Sequence, residues 1–135
     1  MRALLAILLA VPVAGQVSYD RIRRAASEPA SWLTYSGSYQ SHRYSALQQI
    51  TTANVGRLKP LWMYQVNDPN KFETSPLVVD GLVYITEPPS NVAALDARTG
   101  RPLWRYQRAI PDDVRFCCGQ VNRGQIGRAS CRERV

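Results

Sequence analysis

The sequence predicts an all-β chain, a single antiparallel meander of four short strands preceded by a segment that wraps irregularly. Three observations carry this. Apolar and aromatic runs follow one another closely at Pro76–Val79, Leu82–Thr86, Asn91–Leu95 and Arg101–Tyr106. The stretches between them are turn formers, with Asp80-Gly81 between the first two and Asp96-Ala97-Arg98-Thr99-Gly100 between the last two. An Asp-Gly pair between two apolar runs is a strong hairpin signal, because both residues tolerate a positive φ. Finally, no helical pattern in this region is long enough to carry a strand across to a parallel neighbour. A four-stranded meander with a tryptophan, Trp104, on its last strand reads as one propeller blade.

The elements follow in chain order. Residues 1–15 have the layout of a secretory signal peptide: Arg2, the apolar run Ala3–Val13, then small Ala14-Gly15. The run is too short to span a bilayer comfortably, so no stable membrane span is expected. Residues 16–59 form the wrap. A short helix is expected between Tyr19 and Ala26, ending near Glu28-Pro29 because the residue before proline avoids helix. Trp32, Tyr35, Tyr39 and Tyr44, interleaved with Ser and Gly, show no period and read as loop. Thr51–Leu58 offers a threonine cap and one or two helical turns. Residues 60–125 hold the blade, starting with the β-prone Leu61–Val66. Leu58-Lys59-Pro60-Leu61-Trp62 echoes Gly100-Arg101-Pro102-Leu103-Trp104, a suggestive internal repeat. Residues 126–135, Ile-Gly-Arg-Ala-Ser-Cys-Arg-Glu-Arg-Val, have neither period nor turn logic. They read as the in-frame translation of a sequencing adapter and are set aside from fold reasoning.

Setting aside Arg2, Arg128, Arg132, Arg134 and Glu133 lowers the formal charge from +7 to +4. The remaining basic residues are scattered, apart from Arg21, Arg23 and Arg24. A nucleic-acid surface needs charge clustered on one face, so no nucleic-acid partner is expected. Of three cysteines, Cys131 lies in the tail, while Cys117 and Cys118 are adjacent. No second pair and a single histidine, His42, argue against a zinc site. His42 has no partner at useful spacing and reads as a loop histidine bonded to backbone rather than a catalytic group.

Ala94-Leu95-Asp96-Ala97-Arg98-Thr99-Gly100-Arg101-Pro102-Leu103-Trp104 resembles the tryptophan-docking motif of quinoprotein propellers. Its parts make physical sense: Asp accepts from turn amides, Gly supplies a positive φ, and Trp packs between neighbouring blades. Trp32–Tyr35 with Arg43–Leu47 resembles that family's N-terminal wrap. Lys71–Leu77 resembles its segment carrying a cofactor-contacting glutamate, here Glu73. Pro111–Gly124 resembles its segment with a vicinal disulfide and a cofactor-contacting arginine, here Cys117, Cys118 and Arg123. The adjacent cysteines followed by Val121-Asn122-Arg123-Gly124 resemble the methanol/ethanol dehydrogenase branch in particular. The resemblance implies an N-terminal fragment of an eight-bladed β-propeller, about one blade plus the wrap. It also implies that the full-length protein oxidises primary alcohols in the periplasm using pyrroloquinoline quinone (PQQ). A cytochrome c electron acceptor and a Ca²⁺ or lanthanide ion belong to that picture, with the metal ligands and the aspartate general base on later blades. The competing reading is a non-catalytic propeller scaffold of the outer-membrane assembly type, which would have no use for the cysteine pair or Arg123.

The implied roles have a physical basis. Consecutive Cα atoms lie about 3.8 Å apart, while ordinary disulfides span about 4.4 to 6.8 Å. A bridge between Cys117 and Cys118 therefore closes a strained ring, which in this family lies against one face of the planar quinone. Arg123 offers a planar, permanently charged fork to one of the three cofactor carboxylates. Glu73 beside a tricarboxylate either shares a proton with it or accepts from a ring N–H.

Overall fold

The computed structural model describes residues 17–67, 71–115, 119 and 121. The predicted leader, Cys117, Cys118, Arg123 and the 126–135 tail lie outside the described residues. The architecture is the predicted one: a four-stranded antiparallel sheet in the order β1-β2-β3-β4. Its strands are β1 (Leu77–Val79), β2 (Leu82–Glu87), β3 (Asn91–Asp96) and β4 (Pro102–Tyr106).

Local chemistry sets each turn. Asp80 and Gly81 both take positive φ, +50° and +78°, closing Val79 onto Leu82 as a tight hairpin. Pro88-Pro89-Ser90 joins β2 to β3, whose ladder runs from Leu82↔Asp96 to Glu87↔Asn91. The β3–β4 turn is organised by Asp96. Its Oδ1 accepts from the Arg98 N–H (3.0 Å), the Thr99 N–H (2.8 Å) and the Thr99 hydroxyl (2.8 Å). These bonds, the Thr99 hydroxyl first, hold the Asp96 carboxyl below the usual carboxylate range. Pro102 opens β4, where its missing N–H is least costly, and the ladder slips at Ala94/Leu95.

The core is Ile85, Ala93 and Leu95, with Trp62, Tyr64 and Val83 packed against it. Leu61–Val66, expected to be strand-like, does not join the sheet ladder. The segment lies against the sheet with its side chains alternating, Trp62 and Tyr64 inward and Leu61 and Met63 outward at 84% and 90% exposure. It keeps the period of a strand without backbone partners among the described residues. The Trp62 indole crosses Gly100, where φ is +70° and a Cβ would lie 2.5 Å from the ring. Its Nε1–H donates to the Ala97 carbonyl at 3.0 Å. Trp62, from the first copy of the short repeat, is thus the tryptophan docked on the Asp96–Gly100 turn. Trp104, from the second copy, packs against Tyr84 with ring centroids 6.1 Å apart and stays 47% exposed.

The wrap is fastened at two points. Trp32 and Val78 exchange backbone hydrogen bonds of 2.8 and 3.0 Å, which places the wrap on the free edge of β1. Helix α1 (Tyr19–Arg23) is capped by the Ser18 hydroxyl, which accepts from the Arg21 N–H. The chain then tightens into a 3₁₀ turn at Ala25–Ser27, so the predicted helix is present but broken. Arg21 forks onto Asp80 at 2.9 and 2.6 Å and onto Glu28 at 2.8 Å, clasping α1 to the β1–β2 turn. Bonding to the Arg21 guanidinium holds both carboxyls below their ordinary range. The Thr51–Leu58 segment forms only a 3₁₀ turn, Val55–Arg57. Thr51 does not cap it; the Asn54 side chain instead accepts from the Thr51 N–H at 2.7 Å. An Asx-type contact has displaced the predicted threonine cap.

Gly100→Ala is expected to destabilise the full-length protein by about 2–4 kcal/mol, combining a left-handed φ with a clash into the Trp62 ring. Denaturant unfolding measures it; a loss under about 0.5 kcal/mol would show that the ring is not held there.

Candidate functional site

The two ends of the sheet carry different chemistry. At one end lie the Asp80-Gly81 and Asp96–Gly100 turns, bridged by the Ala97 N–H bonded to the Gly81 carbonyl at 2.9 Å. At the other end lie the Pro88–Ser90 loop, the approach to β1 and the exit from β4. Of the predicted site residues, Glu73 belongs to this second end, and the chain that carries the other three in sequence leaves the sheet there.

Glu73 is half-buried on the approach to β1. The regular ladder begins only at Leu77↔Tyr84, and Pro76 has no N–H with which to extend it. The approach is tied down by Thr74 instead. Its hydroxyl oxygen accepts from the Thr86 N–H at 3.0 Å and from the Thr86 hydroxyl at 3.0 Å. The ladder register and this contact put Glu73 level with the β2–β3 loop.

The β4 exit leaves from the same end, since Val92 pairs with Tyr106. Asn91, 7% exposed, holds it: Oδ1 accepts from the Arg108 N–H at 3.2 Å, while Nδ2 donates to the Pro88 carbonyl at 2.9 Å. From there the chain runs through Pro111–Arg115 toward Cys117, Cys118 and Arg123. Their positions lie outside the described residues, and of the four predicted residues the structure places only Glu73.

Beneath this end is a buried carboxylate that the sequence reading missed. Glu87 is fully buried. Oε1 accepts from the Tyr64 hydroxyl at 2.7 Å and Oε2 from Arg105 Nε at 2.7 Å. Such pairing is what allows a carboxylate to stay inside a sheet. Burial, and then the bond to Glu87, push the Tyr64 phenol above its ordinary value. Glu87 ends an apolar strand just before two prolines, the pattern of an exposed turn, and its partners are 23 and 18 residues away. Only its place at the end of a mostly apolar strand hinted at burial.

A cavity of about 300 Å³ adjoins Thr74 and Ser75, walled by Trp32, Tyr35, Arg43 and Pro76, with the Arg43 guanidinium 5.7 Å from the Tyr35 ring centroid. His42 is exposed beside a smaller cavity, and its side chain makes no hydrogen bond among the described residues, contrary to the expected backbone bond. Among the described residues no helix is long and apolar enough to cross a membrane.

With this geometry in place, comparison with known proteins decides the family. The description "glucose/ethanol/alcohol dehydrogenase, β-propeller domain" of the PQQ class matches residues 32–135. The chain belongs to this PQQ dehydrogenase propeller family. It is 41% identical over 128 residues to the dehydrogenase subunit of a quinone alcohol dehydrogenase from Gluconobacter oxydans (strain 621H), covering 90% of this chain and 17% of that protein. It is 41% identical over 121 residues to a quinohemoprotein alcohol dehydrogenase of Pseudomonas putida, covering 86% of this chain and 16% of that one. Among solved structures it resembles the quinohemoprotein alcohol dehydrogenase of Comamonas testosteroni, with a TM-score of 0.66, 39% identity, and coverage of 70% of this chain and 14% of that one. The chain therefore spans about one sixth of the length of these PQQ dehydrogenases. The all-β blade of the family is the sheet β1–β4, and the dehydrogenase names of its relatives make this a family of quinoprotein enzymes.

The phenol of Tyr64 gives a pH test. Its folded value lies above the ordinary 10.0, so its contribution is complete below pH 10 and is lost as the pH rises through the folded value. Full-length protein should lose stability above about pH 10, and Tyr64→Phe should lose less over that range, at a cost near neutrality of about 1–2 kcal/mol from leaving Glu87 Oε1 without its donor. Identical alkaline unfolding of the two proteins would remove Tyr64 from the network.

Proposed function

We propose that the full-length protein is a periplasmic quinoprotein that oxidises primary alcohols with PQQ, and that Glu73, Cys117, Cys118 and Arg123 are its cofactor contacts in this part of the chain. The observation that carries the reading is the adjacent Cys117-Cys118 pair followed by Val121-Asn122-Arg123-Gly124, on a segment that leaves the sheet at the end where Glu73 stands.

The residues fit the group chemically. A planar tricarboxylate quinone needs a cation with a carboxylate-matching fork, a flat wall for its ring and a polar group at its rim. Arg123 supplies the fork, a Cys117–Cys118 ring the wall, and half-buried Glu73 the rim group, as proton sharer or as acceptor from a ring N–H. When bound, the quinone accepts the hydride equivalents of the alcohol, and a Ca²⁺ or lanthanide ion supplies Lewis-acid polarisation. This chain's own part is to bind and orient the cofactor and to keep water from one face of it. The general base and the metal ligands are assigned to later blades, and a cytochrome c is the proposed electron acceptor. The reading includes export on the residues 1–15 leader, to a compartment where a disulfide between neighbours persists.

Two measurements test this. Full-length protein purified from cells supplied with PQQ should carry bound quinone absorbance, and thiol labelling without reductant should find no free thiol at Cys117 or Cys118. A colourless protein, or two labelled thiols, would overturn the reading.

The chain by itself is proposed to be inactive. Met63 and Leu61 are 90% and 84% exposed and Tyr106 and Trp104 are 57% and 47% exposed, an apolar surface beside a β4 edge that has no strand partner among the described residues, and both invite association. Expressed alone, residues 16–125 should give no cooperative thermal transition; a sharp, reversible one would show that a single blade suffices.

A further inference from the structure

We propose that the cavity between the wrap and the approach to β1 is a binding site for a small carboxylate with an apolar body, and that Arg43 meets its charge. The site stands apart from the cofactor contacts proposed above.

Two segments build the cavity. Trp32, Tyr35 and Arg43 come from the wrap, and Thr74, Ser75 and Pro76 from the approach to β1. Both walls are fastened to the blade or to themselves. Trp32 exchanges backbone hydrogen bonds with Val78, and its ring crosses Gly37, where φ is +80° and a Cβ would lie 2.8 Å from the ring. Thr74 is bonded to Thr86 of β2. The volume, about 300 Å³, lies at the small end of the range of ligand sites.

Arg43 is the lining residue whose type the backbone does not favour. Its φ is +51°, in the left-handed region that costs a residue with a Cβ. Asp80 also takes a positive φ, but it is of the short polar type that tolerates one and it closes a hairpin. An arginine has no such relief. Glycine would adopt the same φ freely, and its N–H would serve as well as that of Arg43, which donates to the Ser36 carbonyl at 3.1 Å. What arginine adds is the guanidinium. It stands 5.7 Å from the Tyr35 ring centroid at the cavity wall, and among the described residues no carboxylate forms an ion pair with it. Backbone strain held at a charged group that lines a cavity points to a ligand.

The lining defines the chemistry of that ligand. A guanidinium offers a planar fork that matches a carboxylate. The Thr74 oxygen already accepts from the Thr86 N–H and hydroxyl, so its remaining capacity is as a donor, and Ser75 brings a second hydroxyl. Among the described residues no acidic side chain lines the cavity. The polar side of the site thus suits an anion. Trp32, Tyr35 and Pro76 supply apolar wall for the rest of the molecule. One cation with that much apolar surface suits a monocarboxylate with a flat or aliphatic body better than a bare phosphate.

The test is isothermal titration of the full-length protein with benzoate, as purified and again after saturation with PQQ, with benzamide and inorganic phosphate as comparisons. Benzoate should bind with a Kd on the order of a millimolar, the scale for so small a ligand. Benzamide, without the charge, and phosphate, without the apolar body, should each bind at least about tenfold more weakly. Arg43→Lys keeps the charge and loses the fork, and should weaken benzoate about tenfold on the same scale. Arg43→Gly should abolish benzoate binding while its Tm equals or exceeds that of wild type, because glycine relieves the strained φ. A purely structural arginine would give the opposite: a lower Tm and an unchanged affinity. Wild type that binds no benzoate, Arg43→Lys or Arg43→Gly that binds it as wild type does, or phosphate that binds as tightly as benzoate overturns the proposal. Benzoate displaced by PQQ overturns it as well, since the cavity then belongs to the cofactor's own site. Should Arg43→Gly fail to fold, the strain argument falls and Arg43→Lys still decides whether the guanidinium binds the carboxylate.

Discussion

A tryptophan ring resting where a glycine has no side chain is the contact on which this blade depends. Gly100 can take φ +70° at the end of the Asp96 turn, and its bare Cα lets the Trp62 ring approach closer than any Cβ would allow. Asp96 fixes the turn by accepting three hydrogen bonds, so the platform is rigid before the ring arrives. The ring then donates to the Ala97 carbonyl, and Trp62 packs against the cluster of Ile85, Ala93 and Leu95. Burial of that apolar surface is the main favourable contribution. Without the glycine the ring has nowhere to lie, and the extended Leu61–Val66 segment loses its main hold on the sheet.

Its second hold is electrostatic. Tyr64, two residues on, points to the same face as Trp62 because an extended chain alternates with period two. Its hydroxyl reaches Glu87 at the opposite end of the sheet. Glu87 also receives Arg105 from β4, so one buried carboxylate joins the docked segment, β2 and the edge strand. A buried ion pair is weak evidence for stability, because desolvation offsets most of the attraction. It is better understood as specificity. A slip of one residue in Leu61–Val66 would turn Trp62 and Tyr64 outward together and leave Glu87 Oε1 buried without its donor.

Much of this was legible in the residues, and the boundary between what was and was not is physical. The four strands, the Asp80-Gly81 hairpin and the Asp96 turn rest on chemistry local to a few residues, and each appears where the residues call for it. Most of the missed features join positions far apart in sequence. Thr74 and Thr86 are 12 residues apart, Arg21 and Asp80 are 59. Leu61–Val66 has strand periodicity, but periodicity states which side chains face inward, not whether a backbone partner is present. Thr51 loses its cap to Asn54 because two short polar side chains compete for the same N–H groups, and propensity does not choose between them. Of the candidate site, Glu73 was identifiable only through a motif, since nothing in the pattern of Lys71–Pro76 alone distinguishes it from a solvent-facing glutamate.

The division of the sheet into two ends explains why both kinds of feature are needed. The turn end is closed by internal bonds: Asp96 satisfies its own turn, Gly81 is bridged to Ala97, and Arg21 clasps Asp80 from outside. These bonds are internal to the fold and can be optimised for stability alone. The loop end is fastened differently, and in the proposed reading the approach to β1 and the exit from β4 stay available to a cofactor. Regular pairing there would bury the backbone that presents Glu73. Side chains do the fastening instead, Thr74 on Thr86 at the approach and Asn91 on Arg108 at the exit. Each replaces a ladder bond with a contact only one residue wide. That arrangement holds a segment at one point rather than along its length, a property an extended strand ladder does not have.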